Sequence, residues 1–161
     1  MNKNTLSIIG TWALVEAWDI GDNVPGQKTY PWGDPPAGYW VYDRSGHFSL
    51  MISQNPALPI PAPFSGDPQS SWLTPVAPWK VPYELLIETF ATAQPYAYFG
   101  TYAVKMDAEH PEQGNILHTV FSDVMRAYTN TVQTRPFSFD GPDFLNVGVP
   151  GEYLRRLKRL T

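Results

Sequence analysis

The sequence predicts an all-β protein, an eight-stranded antiparallel up-and-down β-barrel that forms one domain over residues 1–161. Short runs of alternating apolar and polar residues recur along the chain, as in half-buried strands. Turn-forming clusters separate most of these runs. Two runs, Gly38 to Tyr42 and His47 to Ser53, flank Asp43-Arg44-Ser45-Gly46, which is a hairpin signal. A closed sheet of eight strands leaves room inside for side chains and one small ligand.

The first strand is predicted over Thr11 to Trp18, where the residues alternate between two faces. One face carries the large rings, and we therefore expect it to point into the barrel. Its residues are Trp12, Leu14, Glu16 and Trp18. The segment Asp19 to Pro36 is rich in Gly, Pro and Asp and predicts a long connection.

A proline-rich stretch interrupts the strand pattern in the middle of the chain. Asn55 to Pro82 contains eight of the seventeen prolines, and proline lacks the donor that an interior strand needs. We therefore predict a long loop, whose Trp72 and Trp79 side chains would seek burial. We interpret the loop as a lid over a cavity mouth; the alternative is a loop wrapped on the outer wall. One short helix is predicted from Pro82 to Ala93.

Five further strands complete the predicted barrel, and turn-formers such as Asp140-Gly141-Pro142 separate most of them. They are predicted over Tyr96 to Met106, Asn115 to Ser122, Thr131 to Phe139, Phe144 to Val149 and Glu152 to Leu160. The last strand carries a basic cluster, which we interpret as charges on a solvated face. The cluster consists of Arg155, Arg156, Lys158 and Arg159.

Composition argues against several classes of function. The net charge of −4 is unfavourable for binding nucleic acid, and no run of 18 apolar residues predicts a membrane span. The chain contains no cysteine, and its histidines, at positions 47, 110 and 118, lack metal-ligand spacing. No phosphate loop, dinucleotide fingerprint or serine-hydrolase elbow is present. We expect a cytoplasmic protein without metal or other cofactor; no oligomeric state follows from the sequence.

Several motifs occur in an order known from one family. They are Gly10-Thr11-Trp12, Tyr30-Pro31-Trp32-Gly33, Gly38-Tyr39-Trp40-Val41-Tyr42, Ser45-Gly46-His47-Phe48 and Tyr98-Phe99-Gly100-Thr101-Tyr102. This order resembles the bacterial and fungal lipocalin-like domain family, which His118, Arg135 and the closing Leu157-Lys158-Arg159-Leu160 also match. The resemblance covers nearly the whole chain, except residues 55–81 and 124–131.

The resemblance implies a barrel that binds a small molecule inside. It further implies that Trp12 closes one end of the barrel, with Arg159 stacked over its ring as a cation–π pair. Some lipocalin-like proteins of natural-product pathways are cofactor-free cyclases or isomerases, and by analogy this chain could be one.

The alternation also gives a set of inward polar groups that could act on a ligand. The candidate catalytic residues are His118, Glu16 and Arg135. Burial would bring the pKa of the imidazole and of the carboxylate towards neutrality, where proton transfer is most efficient. The guanidinium could hold a developing enolate or phenolate. Gly100 would leave room for a ligand. The candidate ligand contacts are Trp18, Trp40, Tyr98, Tyr102, Trp72, Trp79 and Phe137. The alternative is an internal network, such as Glu16 with Arg135, and a satisfied core histidine at position 118.

Three functional hypotheses follow. The first is a cofactor-free cyclase or isomerase acting on an aromatic, polyketide-like substrate in natural-product biosynthesis. The second is a non-catalytic carrier of a small hydrophobic or aromatic molecule. The third is a barrel filled by its own side chains, which would leave no room for a ligand. We expect the cavity opposite Trp12, under the loop from Trp72 to Trp79, around Glu16, Tyr102 and His118.

Overall fold

A computed structural model describes residues 6–21, 26–53, 96–124 and 127–160, and these ranges contain nine strands and no helix. The strands are β1 (Gly10–Ile20), β2 (Lys28–Thr29), β3 (Ala37–Tyr42), β4 (His47–Ser53), β5 (Tyr96–Met106), β6 (Gln113–Asp123), β7 (Val132–Asp140), β8 (Phe144–Val149) and β9 (Tyr153–Arg159). The helix predicted over Pro82 to Ala93 and the proline-rich loop, with Trp72 and Trp79, lie outside the described residues.

The long strands form a closed antiparallel up-and-down barrel, which confirms the predicted fold class. Strands β3 to β9 pair in chain order, and β1 pairs with both β3 and β9. Trp12 opposes Trp40 on one side and Arg159 on the other, so β1 joins the two edges of the sheet. The two-residue strand β2 extends the far end of β1, where Asp19 opposes Thr29. It lies within the segment that was expected to be a connection.

A β-bulge in β1 changes which side chains enter the barrel. The register with β9 shifts between Leu14 and Glu16, so the buried residue after Leu14 is Ala17 rather than Glu16. Ala17 opposes Arg155, while Glu16 and Trp18 take positions on the outer face. The expectation that Glu16 and Trp18 point inward is therefore wrong, because strict alternation does not continue through a bulge.

Trp12 closes one end of the barrel, as the family resemblance implies. Its ring is fully buried, its Nε1 donates to the Ile8 carbonyl at 2.8 Å, and the Arg159 guanidinium lies 4.1 Å above the ring centroid. Arg159 also donates to the carbonyls of Ile9 at 2.8 Å and Pro142 at 3.0 Å. The guanidinium therefore ties the chain before β1 to the turn before β8. The expectation that Arg159 lies with the other basic residues on a solvated face is therefore wrong.

Gly100 brings two strands close together rather than making room for a ligand. A Cβ atom built at Gly100 would overlap the carbonyl oxygen of Thr119 on β6. The register between β5 and β6 shifts beside this glycine, between Phe99 and Gly100. A glycine is needed here because the backbone of the neighbouring strand occupies the space of a side chain.

Candidate functional site

A cavity of about 300 Å³ lies at the end of the barrel opposite Trp12. Its wall includes Asp19 near the end of β1, Tyr96 at the start of β5 and Tyr153 at the start of β9. The described residues that line it are Asp19, Trp32, Trp40, Ile52, Tyr96, Tyr98, Tyr128, Arg135, Val147, Tyr153 and Arg155. The side chains of the described residues therefore leave space at this end, which is contrary to the third hypothesis.

Strand alternation supplies most of this lining. On β5 the inward positions are Tyr96 and Tyr98, and on β9 they are Tyr153 and Arg155. Arg135 projects from β7 in the same way, two residues before the buried Phe137. Two other rings come from connections: Trp32 follows β2, and Tyr128 lies between β6 and β7.

Four of the cavity rings form a continuous aromatic wall. The Tyr96 ring lies 6.0 Å from Trp32, 5.5 Å from Tyr98 and 6.2 Å from Tyr128, between ring centroids. The two tyrosine pairs meet edge to face, at 77° and 88°. Such contacts hold the rings in fixed orientations.

The two arginines of the cavity have different partners. Arg155 forms an ion pair with Asp19 at 2.6 Å and stacks over the Trp32 ring at 4.4 Å. Arg135 lies 5.8 Å from the Tyr128 ring centroid and lines the cavity together with Tyr98. Among the described residues, no carboxylate lies within 4.0 Å of the Arg135 guanidinium.

His118 is buried behind the cavity rather than in its lining. Its Nε2 lies 3.0 Å from the Tyr42 hydroxyl, and its Nδ1 lies 3.3 Å from the Tyr98 hydroxyl. Burial, together with the positive charge of Arg135, lowers the pKa of His118 to about 3. The expectation that burial brings this pKa towards neutrality is wrong, because burial disfavours the charged form of a base. The geometry is that of a satisfied core histidine.

Three of the other predicted residues also lie away from the cavity. Tyr102 donates its hydroxyl to the Asp43 carbonyl at 2.7 Å, beside the turn between β3 and β4. Phe137 belongs to the core, where its ring packs against Phe139 at 5.5 Å. Glu16 accepts a hydrogen bond from the Trp18 indole at 3.1 Å on the outer face, so the alternative pairing of Glu16 with Arg135 is wrong as well.

Of the predicted site residues, the cavity thus brings together Trp40, Tyr98 and Arg135. The sequence interpretation missed Trp32, Tyr96, Tyr128, Tyr153 and Arg155. Alternation with Tyr98 points to Tyr96, and alternation back from Leu157 points to Arg155 and Tyr153. Arg155 was expected on a solvated face, which is wrong because this strand turns one of its basic residues into the cavity. Trp32 and Tyr128 carry no periodic signal.

Neither a metal-ligating cluster nor a helix able to cross a membrane is found in the part of the chain that the structure describes. It holds no cluster of three or more His, Cys, Asp or Glu side chains suited to a metal ion. Those same ranges contain no helix with the length and apolar character to cross a bilayer.

A closed β-barrel with an aromatic cavity at one end belongs to the class of barrels that can hold a small molecule. The model of the lipocalin-like domain family matches residues 9–155. The chain belongs to this family, and its lipocalin-like barrel suggests small-molecule binding. No curated protein matches the chain.

Proposed function

We propose that the barrel binds a small, largely aromatic organic molecule in the cavity opposite Trp12. The observation that carries the proposal is the cavity itself, about 300 Å³ in volume and lined by two tryptophans and four tyrosines. Ligand sites are typically concave, mostly apolar and equipped with a few polar groups, and this cavity has that composition.

The cavity volume limits the size of the ligand. A dry cavity of about 150 Å³ holds benzene. A cavity of about 300 Å³ therefore has room for a molecule of about two fused rings. The rings of Tyr96, Tyr128 and Trp32 offer aromatic contacts to such a ring system.

Binding without chemical change is the function that the geometry supports best. Proton transfer needs an acid or base that reaches the ligand with a pKa near the working pH. Glu16 lies on the outer face, and His118 lies behind Tyr98 with a pKa lowered to about 3 by burial and by Arg135. Neither residue reaches the cavity, so the carrier hypothesis needs fewer assumptions.

A cofactor-free cyclase or isomerase is the second candidate, favoured by one observation. Arg135 and Tyr98 are both donors in the cavity wall, and such groups can stabilise an enolate or phenolate. A direct test is α-proton exchange of 2-tetralone in D₂O, in which solvent accepts the α-proton and returns a deuteron, followed by mass spectrometry. Exchange that is faster with wild type than with Arg135→Gln would support this function; equal rates with both would contradict it.

The binding proposal is tested by titration with 2-naphthamide and with N-phenyl-1-naphthylamine, both neutral aromatic probes. We expect saturable binding in isothermal titration calorimetry, accompanied by a change in tryptophan fluorescence. Tyr96→Ala should weaken binding about tenfold, since this ring contacts three other rings of the wall. The matched control is Tyr39→Ala on the outer face of β3, which should leave binding unchanged. No saturable binding of either probe would contradict the proposal.

A further inference from the structure

We propose that the ligand carries a carboxylate, which binds to the guanidinium of Arg135. This inference rests on the proposed binding function and adds the chemical class of the ligand, an aromatic acid. Its basis is the arrangement of charge in the cavity wall, where one of two arginines has no acidic partner among the described residues.

Arg155 shows how this barrel neutralises an arginine. Its Nη2 lies 2.6 Å from the Asp19 carboxylate, and its Nη1 donates to the carbonyls of Trp18 and Leu154, each at 2.8 Å. Its guanidinium also stacks on Trp32. The ion pair neutralises the charge of Arg155, and the hydrogen bonds use most of its N–H donors, so few donors remain for a ligand.

Arg135 has only neutral neighbours among the described residues of the cavity. Its guanidinium lies 5.8 Å from the centroid of the Tyr128 ring, and the phenols of Tyr96 and Tyr98 line the same cavity. Burial raises the pKa of Tyr98 and of Tyr96, so these phenols carry no negative charge at ordinary pH. A guanidinium always carries its charge and has five donors, and these phenols leave that charge without a counter-ion.

Arg135 is half-buried, so its charge is partly withdrawn from water, and a ligand that supplies a partner recovers that cost. A carboxylate suits a guanidinium because two parallel N–H donors match its two oxygens. The rings around Arg135 would then hold the aromatic part of the same molecule. The structure therefore favours an aromatic acid over a neutral aromatic ligand of the same shape.

The experiment compares 2-naphthoate with 2-naphthamide, which have the same ring system and differ in charge. Isothermal titration calorimetry with the wild-type protein should show that 2-naphthoate binds about tenfold more tightly. Arg135→Gln should abolish this preference while 2-naphthamide still binds. The matched control is Arg156→Gln, whose side chain pairs with Asp140 on the outer face and which should keep the preference.

The outcomes separate this inference from the binding proposal. Equal affinity of wild type for the two probes would overturn the aromatic-acid inference and leave the binding proposal intact. If Arg135→Gln keeps the preference for 2-naphthoate, the carboxylate binds at another residue, and the aromatic-acid inference is overturned as well. If neither probe binds, the binding proposal itself fails. The wild-type comparison needs no variant, so the inference is testable even if Arg135→Gln does not fold.

Discussion

The imidazole of His118 is stacked on the phenyl ring of Phe48, with the ring centroids 4.0 Å apart and the planes 12° from parallel. The hydroxyls of Tyr42 and Tyr98 occupy its two nitrogens at 3.0 and 3.3 Å. A neutral imidazole has one donor and one acceptor nitrogen, and these hydroxyls satisfy both. His118 is thus a polar component of the barrel core, and we expect its protonation to affect stability.

Acid should destabilise the protein through His118. The folded-state pKa is lowered to about 3 by burial and by the charge of Arg135, against 6.5 for an unperturbed histidine. Between these values the unfolded state binds more protons, so the free energy of unfolding falls as the pH is lowered from about 6.5 to about 3. The slope from this group is at most about 1.4 kcal/mol per pH unit.

Urea unfolding at pH 7 and at pH 4.5 measures this effect. We expect His118→Gln to be less stable than wild type at pH 7 but to lose less stability on acidification. The control is His47→Gln, which alters a histidine exposed at the start of β4 and should follow the wild-type profile. Equal losses in wild type and His118→Gln would exclude His118 as the source of acid sensitivity.

Removal of the Arg159 side chain should open the closed end of the barrel. Arg159→Ala loses the stacking on Trp12 and the hydrogen bonds to the carbonyls of Ile9 and Pro142. We expect the free energy of unfolding to fall by about 2 kcal/mol. Thermal unfolding followed by circular dichroism measures the change. Lys158→Ala removes a neighbouring positive charge from an exposed position, and a similar loss there would refute the assigned role of Arg159.

A methyl group at position 100 should separate β5 from β6. In Gly100→Ala the new Cβ would overlap the Thr119 carbonyl, so one of the two strands has to move. We expect a loss of stability of about 3 kcal/mol, measured by urea unfolding. Thr101→Ala, at the adjacent and less tightly packed position, is the control. A Gly100→Ala variant as stable as wild type would show that the strands tolerate the larger separation.

Glu16 should have no part in ligand binding, despite its place in the sequence pattern. Its carboxylate lies on the outer face, where it accepts a hydrogen bond from the Trp18 indole at 3.1 Å. We expect Glu16→Gln to bind 2-naphthamide with wild-type affinity in calorimetry, in contrast to Tyr96→Ala. A tenfold loss of affinity in Glu16→Gln would mean that the carboxylate reaches the ligand, contrary to the position of the bulge.

The strands of the barrel could be predicted from the sequence because period-two alternation reports which residues face the core. The bounds of β4, β5 and β8 match the predicted ones residue for residue. The bulge between Leu14 and Glu16 could not be predicted, since the pairing of β1 with the distant β9 determines it. That single irregularity moved Glu16 and Trp18 to the outside.

The cavity could be predicted only in part. Its location opposite Trp12 and its residues Trp40, Tyr98 and Arg135 follow from alternation and from the family resemblance. The hydrogen-bond partners of His118 could not be predicted in this way. Tyr42 and Tyr98 lie on other strands, and they meet the imidazole only in the closed barrel. A polar residue on an apolar face gives the same sequence pattern whether its hydrogen bonds are satisfied in the core or it acts on a ligand.

The pairing of β1 with β9 has a consequence for how the chain is made. Trp12 and Leu14 on β1 oppose Arg159 and Leu157 on β9, so no earlier part of the chain can complete the barrel. A nascent chain on the ribosome that still lacks β9 is an open sheet with two unpaired edges, and such edges can pair with other chains. Barrel closure must therefore wait until β9 has been translated. The interval before that step is the period in which the protein is most exposed to aggregation.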